Sequence, residues 1–381
     1  MARPWDQVPL VDHHCHGVLC EDVDRAGFEA VLTEADGPSP PGTTRFDSMI
    51  GLAVRRWCAP VLGLPAHASP ADYLARRAEL GCAEVNRRFL ATTGTTDYLV
   101  DGGYRAELLT TSGELAALAG ARGHDIVRLE ALAEDVARAG TTAAGFAGAC
   151  ADELDRHGTA VGCKSIAAYR VGLRLAGDRP TDAEVRAAAG RFLSTVASGP
   201  RLADPVLHRF LVWLAVDRRL PVQFHVGYGD ADVDLAECDP LLLTGLLRAT
   251  EPTGVPILLL HNYPFHRNAG YLAQVFGHVY ADVGLATHNV GARAAAVLAE
   301  ALELVPFGKF LFSSDAFGIA EHYHLGTLLF RGALAAFLET AVEHDDMTAD
   351  DALHVAELIC HRNARRVYRL SGEPTAAPVP D

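Results

Sequence analysis

Short apolar runs alternate along the chain with stretches whose apolar residues recur at helical spacing. The eight runs are residues 8–14, 95–102, 124–131, 159–166, 220–227, 255–262, 279–286 and 309–316. Most are apolar at successive positions, which is typical of parallel strands covered by helices. Several of the intervening stretches begin with Asp, Thr or Pro, as helices often do. Strands joined by helical crossovers predict an α/β fold, the (β/α)8 TIM barrel.

Two regions fall outside this repeat. Residues 20–94 separate the first two runs and have a helical pattern, so we expect a helical insertion after strand 1. Because barrel active sites lie where the strands end, such an insertion is placed to act as a lid. We expect the barrel to span residues 1–370 and the proline-rich stretch 371–381 to be a disordered tail.

Composition narrows the class of protein. The 381 residues carry a formal net charge of −15, which argues against a nucleic-acid surface or an anionic membrane surface. No apolar stretch reaches the roughly 18 residues of a membrane span, and the N-terminus lacks the apolar core of a signal peptide. The eight cysteines form no CxxC pair, so we expect reduced thiols in a cytoplasmic protein. The sequence leaves the oligomeric state open, and a homo-oligomer is one alternative because barrels of this size often associate.

Polar side chains stand at the ends of five predicted strands. They are His14 and His16 at the end of the first run, Lys164 in the fourth, His225 in the fifth, His261 in the sixth and Asp315 in the eighth. Because the carboxyl ends of the strands meet at one mouth of a barrel, we expect these side chains to converge. Neutral imidazoles and a carboxylate suit zinc or another first-row divalent metal. The sequence therefore predicts a metal site at the mouth.

Strand alternation sorts the polar residues of the first run. Residues two apart point to the same side of a strand, so His14 and His16 are predicted to face the mouth together. His13 and Cys15 are predicted to face the other way, toward packing and toward the groups that support the ligands from behind. Asp12 shares the parity of the first pair but lies deeper, where we expect a buried hydrogen-bond acceptor.

This ordered set resembles the amidohydrolase superfamily of metal-dependent barrel enzymes. The resemblance rests on DxHxH at Asp12, His14 and His16, with His225, His261 and Asp315 at later strand ends. The phrases KSIAAYRVGL and TTDYLVDGGY, with the long insertion, are similar to the amidohydrolase-2 branch. Within that branch the chain resembles the domains associated with glutamine-synthetase-like enzymes, which are connected with γ-glutamyl and related small amides.

The resemblance implies roles for the metal ligands. His14, His16 and His225 would bind a divalent metal. Asp315 would bind the same metal and take a proton from its bound water as general base. Zinc is the first expectation, with manganese and iron as alternatives, and one or two ions remain open.

Three further residues have roles that the resemblance leaves open. His261 would bind a second metal, or polarise the substrate and donate a proton. Lys164 would bridge two metals as a carbamate, or bind a substrate carboxylate as an ammonium. Arg170 is a second candidate for that carboxylate.

The resemblance implies a metal-dependent amidohydrolase. Such an enzyme would cleave a C–N, amide-type bond of a small, carboxylate-bearing substrate through a metal-activated water. A metal-dependent decarboxylase of the same branch would use a similar set of ligands. A non-catalytic barrel serving as a binding subunit is the third alternative, and the intact ligand set speaks against it.

Other polar residues near the strand ends have simpler interpretations. His322 and His324 form a second HxH, but they do not end an apolar run, so we place them in the pocket wall or at the surface. Asp101 ends the second run, and we expect it to hydrogen bond near the site or to pair with Arg128 or Arg170.

Overall fold

The computed structural model describes residues 3–372, so the predicted tail lies outside the described residues from 373 onward. Within the described range, seven strands form one parallel sheet in which each pairs with the next along the chain. The strands are β1 (Leu10–Cys15), β2 (Thr95–Asp101), β3 (Arg122–Arg128), β4 (Gly162–Ser165), β5 (Val222–Val226), β6 (Ile257–His261) and β7 (Val279–Ala281). This sequential order is the order of a barrel.

An extended segment closes the barrel in place of a regular eighth strand. Phe310 forms a parallel bridge with Ala281 of β7. On the other side of the segment, the backbone N–H of His13 in β1 donates to the carbonyl oxygen of Phe312 at 3.1 Å. The fold is therefore the TIM barrel that the sequence predicts, and the run 309–316 occupies the place of its eighth strand without forming a full ladder.

Helices connect the strands and cover the barrel. They are α1 (Arg25–Ala30), α2 (Met49–Ala53), α3 (Ala59–Val61), α4 (Pro70–Leu80), α5 (Cys82–Ala91), α6 (Ser112–Ala119), α7 (Leu129–Arg138), α8 (Phe146–Arg156), α9 (Asp182–Leu193), α10 (Pro205–Asp217), α11 (Thr244–Thr250), α12 (His266–Val275), α13 (Gly284–Asn289), α14 (Ala294–Ala301), α15 (Ala320–Glu343), α16 (Ala349–Glu357) and α17 (Asn363–Tyr368). Val54–Cys58 and Leu358–Arg362 form π-helical turns, and short 3₁₀ turns fill several connections.

The insertion after β1 is helical, as predicted, and contains α1 to α5. Local signals start its helices: the Ser69 side chain accepts a hydrogen bond from the backbone N–H of Asp72, and Pro70 occupies the first turn of α4. Phe28 and Tyr73 of the insertion belong to a buried apolar cluster that extends onto α15. The insertion is therefore packed on the barrel.

Two predicted strands end earlier than the sequence suggests. α7 begins at Leu129, inside the predicted run 124–131. β7 ends at Ala281 and α13 begins at Gly284, inside the predicted run 279–286. Both helices have buried first turns, and over so few residues a buried helix and a buried strand have the same apolar pattern.

α17, the last helix of the described residues, closes the barrel at the end opposite the mouth. Its Ala364, Val367 and Tyr368 pack with barrel residues Val11, Leu99, Ile126, Leu258, Leu260 and Leu311. Arg365 of α17 pairs with Asp97 of β2 at 2.6 Å, and that carboxylate has no exposure. A buried ion pair thus fixes α17 against the sheet.

The 24-residue helix α15 is long and apolar enough to cross a membrane by length and composition alone. The core helix of a soluble protein passes the same test. Here residues 320–327, which follow the closing segment, are all buried within the fold.

Candidate metal centre

One cavity at the mouth of the barrel gathers the predicted site residues. Its wall includes His14, His16, Lys164, Arg170, His225, His261 and Asp315. These residues come from β1, β4, β5, β6, the closing segment and the turn after β4. The barrel therefore brings together side chains that lie about 300 positions apart, as its convergent strand ends require.

Three of these side chains form a compact donor group. One ligand atom from each of His14, His16 and Asp315 lies within 4.8 Å of the other two, and all three residues are buried. Nε2 of His14 is 3.1 Å from Asp315 Oδ1, and Nε2 of His16 is 3.6 Å from it. Asp12 is the buried acceptor that the sequence predicts, because the backbone N–H of Ser314 donates to it at 2.9 Å. That bond fixes the turn just before Asp315.

Hydrogen bonds on the far side of the two rings leave their Nε2 atoms free. Nδ1 of His16 is 2.9 Å from the carbonyl oxygen of Asp101. Nδ1 of His14 is 2.9 Å from Oε1 of Gln223. Since both oxygens only accept, each Nδ1 carries the proton and each Nε2 keeps its lone pair. Metal-binding histidines are oriented in this way.

His261 and Lys164 stand beside the donor group. Nδ1 of His261 is 3.3 Å from Asp315 Oδ2. Nζ of Lys164 is 3.3 Å from His14 Nε2 and 3.5 Å from His261 Nε2. Burial lowers the pKa of Lys164 to about 8, although the charges of Asp315 and Asp101 act in the opposite direction. Lys164 therefore lies within hydrogen-bond distance of both histidines.

His225 lies near the donor group but outside it. Its ring centroid is 4.5 Å from that of His261, and its Nε2 is 3.1 Å from the carbonyl oxygen of Tyr228. Because a carbonyl only accepts, His225 Nε2 donates there. Its place among the metal ligands thus stays a prediction.

Charge and burial suit the donor group to a cation. Burial raises the pKa of Asp315, but the surrounding imidazoles of His261, His14 and His16 outweigh it and hold that pKa well below its usual range. Burial lowers the pKa of His14 to about 4 and the pKa of His225 and His261 well below 6.5. An ionised carboxylate with neutral imidazoles is the protonation state that a metal requires. These residues therefore fit a divalent metal.

Arginines with acidic partners line the cavity. Arg170 lines it, as its predicted role requires, while its Nη1 donates to Glu134 at 2.9 Å. Arg128 donates to Asp101 from Nε at 3.0 Å and from Nη2 at 2.6 Å. The expected pairing of Asp101 is thus confirmed, with Arg128 as its partner. Arg201 belongs to the same wall.

The sequence analysis missed several residues of the wall, among them Glu34, Tyr104, Tyr169 and Asp230. Glu34 belongs to the insertion, which therefore reaches the mouth. Burial, with the charges of Asp315 and Asp230, raises the pKa of Glu34 to about 7. The sequence signal for Glu34 is the position of the insertion after strand 1, which indicates that a residue reaches the mouth but not which one.

His322 and His324 are buried in α15 and are absent from the cavity wall, so their predicted placement is wrong. The ring of His322 stacks on that of His288 at a centroid distance of 4.9 Å. Nδ1 of His324 is 2.7 Å from the Thr92 hydroxyl. The physical reason is the helix: the HxH spacing falls in the buried first turns of α15 rather than in a loop.

His13 is a buried supporting residue outside the donor group, as predicted, but the strict alternation expected for the first strand is wrong there. β1 changes register against β2 in its second half, which is the signature of a bulge. The ring of His13 lies 3.0 Å from the Tyr368 hydroxyl. The ring of His14 bonds Gln223, whose amide nitrogen is 2.8 Å from the same hydroxyl. Both rings therefore lie on one side of the strand.

Comparisons with known proteins give three kinds of match. Residues 63–370 match the family described as Amidohydrolase, the amidohydrolase-2 family. The crystal structure of a protein from Lactobacillus casei described as a metal-dependent hydrolase is 30% identical, with 96% of each chain covered and a TM-score of 0.79. Uronate isomerase from Thermotoga maritima is 13% identical over 96% of each chain, with a TM-score of 0.62, a likeness of fold alone.

A curated relative is longer than the chain. Protein fluG of Emericella nidulans is 33% identical over 231 residues, which are 58% of this chain. The match spans 27% of the length of that relative. The likeness therefore concerns one part of fluG.

Proposed function

This chain belongs to the amidohydrolase family, and from that premise we propose that it is a metal-dependent hydrolase acting on a C–N, amide-type bond of a small, carboxylate-bearing substrate. The observation that carries the proposal is the buried group of His14, His16 and Asp315 at the barrel mouth. The Lactobacillus casei protein, 30% identical across 96% of the chain and described as a metal-dependent hydrolase, supports it.

The donor group would hold one divalent ion, with zinc as the first expectation. His14 and His16 would bind through the Nε2 atoms that their far-side hydrogen bonds leave free. Asp315 would bind through a carboxylate oxygen, and His225 and His261 are the nearest further ligands. When bound, such an ion lowers the pKa of a water molecule and polarises a carbonyl oxygen.

The residues around the donor group are placed to move the protons of hydrolysis. The ionised carboxylate of Asp315 would accept a proton from the attacking water. His261, 3.3 Å from that carboxylate, would polarise the amide carbonyl or pass the proton to the leaving nitrogen. Addition of water across the C–N bond then gives a carboxylic acid and an amine. Arg170 or the Lys164 ammonium would hold the carboxylate of the substrate.

Lys164 has two alternative roles that a crystallographic map distinguishes. A carbamate would appear as density beyond Nζ, between two metal ions. An unmodified amine with a single ion would instead favour binding of a substrate carboxylate. Lys164→Arg separates the two chemically, because guanidinium keeps the charge and forms no bridging carbamate.

Metal analysis and product analysis test the proposal. Protein purified without chelator should contain at least one divalent ion per chain and release amine from small carboxylate-bearing amides, γ-glutamyl amides among them. His14→Ala should lose both ion and activity. His278→Gln is the matched control, because His278 is buried and bonds Thr250 away from the cavity.

Each alternative has its own outcome. Release of CO₂ without amine would identify the decarboxylase. Metal far below one ion per chain, together with an unchanged His14→Ala variant, would refute the hydrolase and leave the barrel as a binding subunit.

A further inference from the structure

A chain of buried hydrogen bonds runs beneath the proposed metal site and joins two of its histidines. Its links are His14 Nδ1 to Gln223 Oε1 at 2.9 Å, Gln223 Nε2 to the Tyr368 hydroxyl at 2.8 Å, that hydroxyl to His13 Nδ1 at 3.0 Å, His13 Nε2 to Asp282 Oδ2 at 2.8 Å, and Asp282 Oδ1 to the backbone N–H of His261 at 2.7 Å. None of these six residues is more than 3% exposed. The chain is therefore isolated from water.

The neutral side chains satisfy these bonds with a single direction of donation. The Gln223 amide nitrogen also contacts the carbonyl oxygen of His13 at 2.8 Å, which fixes nitrogen and oxygen within that amide. Gln223 Oε1 must therefore accept from His14. The Tyr368 hydroxyl accepts from Gln223 and donates to His13 Nδ1. His13 then donates from Nε2 to Asp282, so every donation points toward that carboxylate.

The two ends of this hydrogen-bond chain each hold a histidine of the proposed metal site. At one end the Nδ1 proton of His14 is held away from the cavity, so its Nε2 is presented to the donor group. At the other end Asp282 holds the backbone of His261, whose φ of 68° lies in the left-handed region. A non-glycine residue adopts that conformation only where its surroundings enforce it.

The central link of the hydrogen-bond chain, the Tyr368 hydroxyl, belongs to α17. Arg365 of that helix pairs with Asp97, and the Asn363 amide donates to the carbonyl oxygens of Phe307 and Phe310 at 2.7 and 2.8 Å. These contacts fix α17, which carries Tyr368, against β2 and the start of the closing segment. β1 adds the other half: between Asp12 and Cys15 its register is irregular, and both His13 and His14 lie beside this network.

We infer that Gln223 and Tyr368 are positioning residues, which set the tautomer of His14 and, through His13 and Asp282, the backbone of His261. The inference rests on the proposed metal site. Its consequence is that α17, at the end of the barrel opposite the mouth, controls metal affinity at the mouth. Hydrogen-bond partners behind metal ligands typically alter affinity about 10–100-fold.

The experiment removes single links and reads the ring of His14 directly. Tyr368→Phe deletes one hydroxyl. Tyr98→Phe is the matched control, because Tyr98 is also fully buried in the barrel wall and bonds Thr93 at 2.9 Å, outside the chain of bonds. Imidazole ¹⁵N spectra of metal-free protein, assigned with His14→Gln, report the tautomer. Competition with a chromophoric chelator reports the affinity for zinc.

In the native protein the His14 signals should show a proton on Nδ1. Tyr368→Phe should move those signals and weaken zinc binding about tenfold, and Tyr98→Phe should change neither. An unmoved His14 signal, with zinc affinity equal to that of Tyr98→Phe, would overturn the inference, even if Tyr368→Phe lowers stability.

A second variant keeps the test decisive if Tyr368→Phe does not fold. Gln223→Met removes the direct acceptor of His14 and should weaken zinc binding at least as much as Tyr368→Phe. Native affinity in Gln223→Met would overturn the inference. The spectra separate this result from failure of the metal site itself, because the tautomer is read without metal, whereas failure of the site would leave native protein and His14→Gln with equal affinity for zinc.

Discussion

Glu321 ties the helical insertion to the barrel through a fully buried ion pair. Its Oε1 accepts from Arg77 Nε at 2.8 Å and from the Tyr73 hydroxyl at 2.9 Å. The side chains of Arg77 and Glu321 are 4% and 0% exposed, so water solvates neither charge. Arg77 lies on α4 of the insertion and Glu321 at the start of α15. The pair therefore spans the contact between the insertion and the barrel.

Removing one partner should cost much of the stability of the protein. In Glu321→Gln the Arg77 guanidinium stays buried without a countercharge, which costs about 3–5 kcal/mol. Arg77→Met leaves the carboxylate unpaired and should cost a similar amount. The double variant leaves neither charge, so the two single losses together should exceed its loss by at least about 2 kcal/mol.

Urea unfolding followed by far-UV circular dichroism measures these free energies. Glu343→Gln, at the exposed C-terminal end of the same helix, is the matched control and should stay within about 0.5 kcal/mol of native protein. A loss below about 1 kcal/mol in Glu321→Gln, or single losses that simply add in the double variant, would refute the reasoning.

Four further substitutions test other parts of the structure. Burial lowers the pKa of His324 to about 4, whereas a histidine in the unfolded chain has a pKa of about 6.5, so the free energy of unfolding falls as the pH drops between these values. Between about pH 7 and pH 5, His324→Gln should therefore lose about 1–2 kcal/mol less of that free energy than native protein does. An equal loss in urea unfolding would contradict this. A Cβ on Gly17 would lie 2.2 Å from the Thr110 carbonyl oxygen, so Gly17→Ala should destabilise by about 1–3 kcal/mol. Gly113→Ala, in α6 with nothing within 4 Å, should stabilise by about 0.5–1 kcal/mol in the same assay. Arg170→Met should raise KM for carboxylate-bearing substrates more than it lowers kcat, and an unchanged KM would exclude Arg170 from substrate binding.

The barrel could be predicted because a buried parallel strand carries a strong signal. β5 and β6 lie inside the predicted runs 220–227 and 255–262. A strand covered on both faces must be apolar throughout, so a histidine at its end stands out against the run. Polar ends of several strands then point to one mouth by topology alone. This is why the side chains around the donor group could be proposed without coordinates.

The remaining features depend on tertiary contacts that no local pattern encodes. The hydrogen bond of His13 depends on Tyr368, which follows His13 by 355 positions. The pairing of Arg170 with Glu134 joins two helical regions after different strands. Glu34 reaches the cavity because of the way in which the insertion packs. From alternation, charge and spacing, each of these residues can be predicted to be polar, but its partner cannot be predicted.

Backbone strain gives separate evidence for the same mouth, because it concerns conformation rather than side-chain type. His261, Asn262 and Asp315 have φ values of 68°, 61° and 49°, and each left-handed non-glycine residue costs about 1–3 kcal/mol. Specific bonds offset that cost: Asp282 accepts from the backbone N–H of His261 at 2.7 Å, and its carbonyl accepts from the Asn262 amide at 3.0 Å. The backbone N–H of Asp315 donates to the carbonyl oxygen of His14 at 3.1 Å. A relaxed backbone would point His261 and Asp315 elsewhere, so this fold maintains the strain in order to keep an imidazole and a carboxylate 3.3 Å apart beside His14.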